Sequence, residues 1–295
     1  MITLGAAIND YLAVLQRENA PPGTVATYGI ALSQFREFTG ADRDISVIDL
    51  LCLRAWLAEL YVQKQAVTTS RKKIAAVRSL LQHCLTQQWI SKNPAKLLFT
   101  PKLPKTLPKV PTAEQVSCIL DQSEKPELHR AYPKRDRAVL ELLYGCGLRV
   151  SECVGIDVRD LDLEERWLLI RGKGRKERQV PVTSKAAEAV TAYLEVRSPR
   201  DPGESALFLN QAGGRLSARS IQHLVKFYAR MISGDASLHP HSLRHAYATH
   251  LLSDGADLRS IQELLGHALL SSTQKYTQMA LSDLMVVYDK AHPKA

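Results

Sequence analysis

A proline-rich segment constrains this chain more than any other feature of its sequence. Residues 99–111, FTPKLPKTLPKVP, contain four prolines and three lysines. Proline has no N–H to donate and fixes its own φ angle, so this run continues neither a helix nor a central strand. Such a composition is typical of an extended, semi-rigid linker. Because 295 residues suffice for two hydrophobic cores, we predict domains at residues 1–103 and 112–295, with a linker at 104–111.

The first domain is predicted to contain four helices, because its apolar residues recur at helical spacing. Leu4 and Ile8 begin the first helix, and residues 49–63 form the third. Thr24 is predicted to cap the second helix and Ser70 the fourth, since a side-chain oxygen can accept from the first free N–H groups. The first domain is therefore expected to be all-helical.

Three basic residues, Arg71, Lys72 and Lys73, directly follow the predicted cap at Ser70. Cations in the first turn of a helix oppose its dipole, and a nearby phosphate would relieve that conflict. We therefore predict that these three side chains contact DNA, with a solvated helix start as the alternative. The formal net charge of +9 likewise favours a nucleic acid over a membrane as the partner.

The second domain is predicted to be helical around a small β-sheet. Thr112 can cap one helix, and Asp136–Tyr144 has the apolar pattern of another. The residues of Trp167–Ile170 and Arg178–Val182 are β-prone, and the Gly-Lys-Gly sequence between them predicts a hairpin. The predicted fold class is therefore mainly α, with a small β-sheet in the second domain.

The predicted hairpin is strongly basic, since five of the eight residues 171–178 are Lys or Arg. Lys173 lies at its tip between two glycines, where an exposed amine suits a mobile general acid. Arg171, Arg175 and Lys176 are predicted to contact DNA phosphates. The alternative is an exposed basic hairpin that touches phosphates without selectivity.

A glycine-framed turn carries a further candidate. Gly145-Cys146-Gly147 ends a predicted helix and presents Arg149 in a fixed direction. Glu152 follows three residues later, so it lies on the same helix face and can orient nearby polar groups. The alternative for Arg149 is an ordinary surface arginine.

The stretch from residue 239 to residue 276 contains the remaining candidates. His241 and Arg244 share one helix face, and the pair suits a phosphate because arginine gives a two-pronged charged donor and histidine a proton carrier. His267 directly follows a predicted helix end. Tyr276 lies in a new helical segment after a Ser-Ser-Thr cap.

A metal site is not predicted. His241 and His245 are four residues apart, as in a zinc protease helix, but Ser242 stands where such a helix has glutamate. The five cysteines are scattered without a CxxC pair, which indicates reduced thiols. The first residues do not form a secretory signal, and no apolar run approaches the length of a membrane span. We predict a cytoplasmic protein without a cofactor.

Several motifs, in order, resemble the tyrosine recombinase (phage integrase) family, and within it the bacterial Xer recombinases. They are GCGLRVSE, RGKGRKERQVPV, HSLRHAYATHLL, LLGH and STQKYT. The resemblance covers essentially the whole chain, and it implies an N-terminal four-helix SAM-like core-binding domain and a C-terminal catalytic domain that clamp duplex DNA. The catalytic residues of the family fall on Arg149, Lys173, His241, Arg244, His267 and Tyr276.

The resemblance also implies a mechanism that needs neither metal nor ATP. Tyr276 would attack phosphorus, leaving a 3′-phosphotyrosine and a free 5′ hydroxyl. Arg149 and Arg244 would neutralise the phosphate, and Lys173 would protonate the leaving oxygen. His241 would act as base or charge partner, while His267 would donate a hydrogen bond to a nonbridging oxygen.

The implied assembly is a tetramer on DNA with inverted-repeat sites, which exchanges strands through a Holliday junction. Its job would be to resolve chromosome or plasmid dimers, alone or with a paralogous recombinase, and with a DNA translocase as activator. Three alternatives remain open: a mobile-element integrase, a type IB topoisomerase-like enzyme and a non-catalytic DNA-binding protein. The amphipathic tail, residues 281–295, is predicted to dock on a neighbouring protomer, with packing on its own domain as the alternative.

Overall fold

The computed structural model describes residues 1–40, 43–100, 110–172, 177–235, 237–265 and the single residues 288, 291 and 292. The chain folds into two compact units, Met1–Thr106 and Leu107–Ala295. Most of the predicted linker lies outside the described residues. None of the helices in the described part is both long enough and apolar enough to cross a membrane.

The first unit is built from four helices around one core, as predicted. They are α1 (Leu4–Arg17), α2 (Pro22–Thr39), α3 (Leu50–Val62) and α4 (Val67–Thr86). Apolar side chains from all four helices are buried together, and the ring of Phe35 meets that of Trp56 edge-on at 4.9 Å between centroids. Such an aromatic pair adds to the stability that burial alone provides.

The predicted starts of two helices in the first unit were wrong. Helix α2 begins at Pro22, because proline at the first helical position has no N–H to leave unpaired. Helix α4 begins at Val67 without a side-chain cap, three residues before Ser70. Arg71, Lys72 and Lys73 therefore lie in the second turn of α4, so the argument from the helix dipole does not apply to them.

The second unit contains seven helices in its described part. They are α5 (Ala113–Asp121), α6 (Pro133–Gly145), α7 (Val150–Gly155), α8 (Ser184–Leu194), α9 (Ala218–Tyr228), α10 (Pro240–Ser253) and α11 (Leu258–Leu265). Helix α6 is buried along almost its whole length and packs against α8 and α10. A π-helical turn, Ala229–Ser233, extends α9.

The predicted hairpin is confirmed, and it belongs to a three-stranded antiparallel sheet. The strands are β1 (Leu161–Asp162), β2 (Trp167–Arg171) and β3 (Glu177–Pro181), in that order. Leu168 pairs with Val180, and both are fully buried. The short strand β1 was not predicted, because two residues carry no readable alternation. The fold class, mainly α with a small sheet, is as predicted.

Three tail residues, Tyr288, Ala291 and His292, are buried against the core of their own unit. The hydroxyl of Tyr288 donates to the carbonyl of Gly145 at the end of α6. The His292 ring lies 5.2 Å from that of Tyr144. These three residues therefore pack on their own domain, which was the alternative, and docking of the tail on a neighbouring protomer stays a prediction. The apolar residues on which that prediction depended, Leu281, Leu284, Met285 and Val287, lie outside the described residues.

Candidate active site

The turn between α6 and α7 positions the first candidate arginine. Gly147 has a φ of +58°, and a Cβ atom there would lie 2.5 Å from Cδ1 of Tyr247. Only glycine meets both conditions, since other residues are strained in this region and need room for Cβ. The chain then passes through Leu148, which is fully buried, to Arg149 at the N-terminus of α7. The Arg149 side chain is partly exposed, at 38%.

The carboxylate of Glu152 is the electrostatic centre of the site. Its Oε2 accepts from the backbone N–H of Arg149 at 2.8 Å, and its Oε1 accepts from the Arg149 guanidinium at 2.8 Å. Arg178 donates to both oxygens, at 2.8 and 3.0 Å. Burial opposes the charge, but the contacts with Arg178 and Arg149 outweigh it and lower the pKa of Glu152 to about 2. The group is therefore ionised at neutral pH.

Arg244 projects from α10 toward the same carboxylate. The residue is buried, and one of its terminal nitrogens lies 3.8 Å from Glu152 Oε2. The guanidinium donates to the carbonyl of Gly147 and, at 2.6 Å, to that of Leu265. Burial and the neighbouring Arg149 lower the pKa of Arg244 to about 10, so the side chain still carries its charge at neutral pH.

His241 lies one helical turn before Arg244 on α10, and it is exposed. It lines a cavity of about 380 Å³ together with His223 and Lys226 from α9. The neighbouring His239 shares a hydrogen bond with the hydroxyl of Ser242. An exposed imidazole beside an open polar cavity is accessible to a substrate, as a general base must be.

The structure thus brings together four of the predicted residues: Arg149, Glu152, His241 and Arg244. Two phosphate-binding candidates share one carboxylate, and the histidine lies on the helix that carries one of them. The other catalytic candidates, Lys173, His267 and Tyr276, lie outside the described residues. Arg175 and Lys176 do as well.

The predicted DNA-contacting residues differ in their surroundings. Lys72 is exposed and Arg71 half-buried. Lys73 is buried, and its ammonium donates to Gln65 Oε1 at 2.8 Å. Burial lowers the pKa of Lys73. Lys73 therefore holds the helix to the preceding loop instead of facing solvent.

Arg171 is also engaged within its own unit. Its guanidinium forms a two-pronged pair with the buried carboxylate of Asp160, with one contact at 2.6 Å. This pair raises the pKa of Arg171. About 40% of the side chain remains exposed, so Arg171 can reach solvent only from a position fixed by Asp160.

Arg178 is a site residue that the sequence interpretation did not identify. It was placed only in the second strand of the basic hairpin and given no role, whereas its side chain is 10% exposed and directed to Glu152. Alternation along β3 was the available signal, because Arg178 faces the opposite side of the strand from Glu177 and Gln179. Its partner Glu152 lies 26 residues earlier in the chain, so the pairing could not be read from the sequence.

Metal-binding groups are absent from the described ranges, where no three His, Cys, Asp or Glu side chains are grouped to hold an ion. His250 is a packed histidine instead, with one nitrogen 2.9 Å from the Tyr144 hydroxyl and the other 3.1 Å from the carbonyl of Pro111. The described side chains therefore offer an anion two guanidinium groups and an imidazole.

Two family models match the chain. The model described as phage integrase family matches residues 109–282, and the model described as phage integrase, N-terminal SAM-like domain, matches residues 8–88. The solved structure of the Tn1549 transposon integrase, in complex with a circular intermediate DNA, superposes with a TM-score of 0.73 at 19% identity. This match covers 97% of the present chain and 99% of the integrase chain. It supports the fold.

Curated relatives are more similar in sequence. The tyrosine recombinase XerC of Pelobacter propionicus is 44% identical over 281 residues, which cover 94% of this chain and 91% of the relative. The tyrosine recombinase XerC of Myxococcus xanthus is 40% identical over 304 aligned positions, which cover all of both chains. The chain therefore belongs to the phage integrase family of tyrosine recombinases, and it is a site-specific DNA recombinase.

Proposed function

We propose that the chain cuts and rejoins duplex DNA at a specific site through a covalent link to Tyr276. One observation carries this proposal: Arg149 and Arg244 converge on a single buried carboxylate, with Arg178 as a third cation. One negative charge against three positive charges leaves the cluster cationic. A buried excess of positive charge is costly unless an anion binds there, and a DNA phosphate supplies that anion.

In the proposed reaction, the Tyr276 oxygen attacks the scissile phosphorus and the bond to the 5′ oxygen breaks. His241 accepts the tyrosine proton, and Lys173 gives a proton to the leaving 5′ oxygen. Arg149 and Arg244 stabilise the charge that develops on the nonbridging oxygens, and His267 donates a further hydrogen bond. The phosphotyrosine keeps the energy of the original phosphodiester, so rejoining needs no ATP.

The relatives also support a proposed biological role. Chains named XerC match over the full length of this one, which supports the resolution of chromosome or plasmid dimers in the cytoplasm. Four protomers would act on two inverted-repeat sites and pass through a Holliday junction. A paralogous recombinase and a DNA translocase are the proposed partners, and Arg71, Lys72, Arg175 and Lys176 are proposed phosphate contacts.

The test begins with footprinting on genomic fragments to find the inverted repeat that the protein protects. A duplex carrying that repeat, nicked beside the scissile phosphate, then traps the covalent adduct because the short 5′ fragment diffuses away. The wild-type protein should form an adduct that survives denaturation. Tyr276→Phe should bind the same DNA and form none.

Tyr61→Phe is the matched control, since Tyr61 is 85% exposed on the first unit and should form the adduct at the wild-type rate. An adduct formed by Tyr276→Phe would assign the nucleophile to another residue. Relaxation of a supercoiled plasmid that lacks the repeat would instead favour a topoisomerase-like activity.

A further inference from the structure

We propose that Arg178 is a positioning residue for the two phosphate-binding arginines. It neutralises Glu152 from one side, so that Arg149 and Arg244 keep N–H donors for the DNA phosphate. This inference rests on the proposed function. It assigns a role to a side chain outside the set of six catalytic residues.

All three nitrogens of the Arg178 guanidinium are used within the protein. The two terminal nitrogens donate to the two oxygens of Glu152, at 2.8 and 3.0 Å. Nε donates to the carbonyl of Leu264 at 3.1 Å. The side chain is 10% exposed. Three of its five N–H groups therefore donate to partners within the protein, which holds the Arg178 guanidinium in a fixed position.

These contacts of Arg178 determine how closely Glu152 pairs with Arg149 and Arg244. A carboxylate is well satisfied by one two-pronged guanidinium, and Arg178 occupies that arrangement. Arg149 keeps a single side-chain contact with Glu152, at 2.8 Å, and Arg244 stays 3.8 Å away. Without Arg178, Glu152 would draw Arg149 and Arg244 into closer pairs, because a buried carboxylate strongly favours a charged partner.

Arg178 also supports the C-terminal end of α11. Leu264 and Leu265 are the last two residues of that helix, and their carbonyls accept from Arg178 and Arg244 respectively. Cations stabilise a helix C-terminus because its free carbonyls carry partial negative charge. His267 follows Leu265 by two positions in the sequence, so the same contacts fix the point from which the chain continues toward it.

The experiment measures the single-turnover rate of adduct formation on the nicked duplex, with DNA affinity measured separately. Arg178→Gln should slow cleavage on the order of 100-fold, as removal of a preorganised charge at such sites does, with little change in affinity. Arg178→Lys keeps the charge but cannot form the two-pronged pair with Glu152, and its cleavage rate should fall about 10-fold. Adding Glu152→Gln to Arg178→Gln should restore part of the rate, because the carboxylate then no longer competes for Arg149 and Arg244.

The matched control is Arg215→Gln. Arg215 likewise holds a carboxylate, that of Asp157 at 2.6 Å, and donates to the carbonyls of Val154 and Ile156. Losing these contacts should lower thermal stability. The cleavage rate should stay within about threefold, because these hydrogen bonds of Arg215 reach neither Glu152 nor Arg178. If Arg178→Gln does not fold, the proposal is tested by the rate of adduct formation of Arg178→Lys.

A second substrate separates positioning from proton transfer. A 5′-bridging phosphorothioate has a leaving group that needs no proton, so it should rescue Lys173→Ala but not Arg178→Gln. Rescue of Arg178→Gln by sulfur would overturn the inference, and so would a double variant no faster than Arg178→Gln. A wild-type rate for Arg178→Lys or Arg178→Gln, beside an active wild-type protein, would also overturn it. A wild-type protein that forms no adduct refutes the proposed function instead.

Discussion

Glu152 keeps its charge although its side chain is only 4% exposed. Burial alone would raise its pKa, but the Arg178 and Arg149 contacts lower that pKa to about 2 from an ordinary value of 4.5. A carboxyl group whose pKa is lower in the folded state stabilises that state above its unfolded pKa. This stabilisation is lost as the pH falls from about 4.5 toward 2.

Glu152→Gln should therefore destabilise the protein at pH 7 by roughly 3 kcal/mol, the free energy that corresponds to this pKa difference. The gap between the two proteins should narrow as the pH is lowered below about 4.5. Denaturant unfolding at a series of pH values measures both effects. Glu164→Gln, at an exposed position, is the control and should change little at any pH. A gap that is constant with pH would contradict the electrostatic explanation.

Gly147→Ala tests the turn before Arg149. The substituted Cβ would overlap the Tyr247 ring, and the φ of +58° would be strained. We expect a loss of roughly 2–4 kcal/mol, the sum of a left-handed backbone penalty and overpacking. Chemical denaturation measures it. Gly155→Ala is the control, because no atom of the described residues lies within 4 Å of the added Cβ, and an equal loss there would refute the steric account.

At the residue scale, the sequence indicated Arg149, Glu152, His241 and Arg244, because glycine frames and helical spacing are local signals. The surroundings of Arg178 were not predictable in this way. Its partners Glu152 and Leu264 are distant in the chain, and only the packing of β3 against α7 and α11 brings them together. A basic run is also ordinarily interpreted as exposed, so the inward direction of the Arg178 side chain was not expected.

At the element scale, the start of α4 decides which basic side chains face outward. Lys72→Ala removes an exposed cation. If Lys72 contacts a phosphate, the substitution should weaken DNA binding and reduce the slope of log affinity against log salt by about 1. Lys73→Ala removes a buried donor to Gln65 and should cost about 1 kcal/mol of stability with the salt slope unchanged. Equal slopes for the two variants would contradict the orientation of this helix.

The start of a helix was predicted correctly where a side chain caps it, and incorrectly where no such cap is present. Thr112 begins α5 as predicted, because its hydroxyl accepts from the N–H of Gln115 and the Gln115 side chain accepts in return. Ser70 and Thr24 were plausible caps of the same kind, but α2 and α4 begin earlier without one. Proline at the first helical position explains the start of α2, whereas no local signal of this kind marks the start of α4 at Val67.

At the scale of the whole molecule, the described residues form two separate hydrophobic cores. Leu80 is fully buried in the first core and Leu140 in the second. Leu80→Ala and Leu140→Ala should each cost roughly 2–5 kcal/mol through the cavity that they leave. Calorimetry should resolve two transitions, with each substitution lowering only its own. A single transition that both substitutions lower would indicate one cooperative unit.

The division into two domains was the most accessible feature of the sequence, because four prolines exclude regular structure over a long stretch. The bounds of the predicted linker stay a prediction. Proteolysis at Lys102, Lys105 and Lys109, which should release two stable fragments, tests them. The buried position of Tyr288 depends on its contact with Gly145, 143 residues away in the chain, and no local pattern specifies such a contact.

The turn at Gly147 has a consequence for the comparison of genomes. Tyr247 and the φ of +58° exclude other residues independently, so a smaller ring at position 247 would relieve only one of the two constraints. A single further substitution elsewhere therefore cannot make another residue acceptable at position 147. A gene copy in which glycine has been replaced there has rebuilt the turn or has ceased to be selected for strand cleavage. The codon for residue 147 is therefore a marker that distinguishes functional copies of the gene from inactive ones.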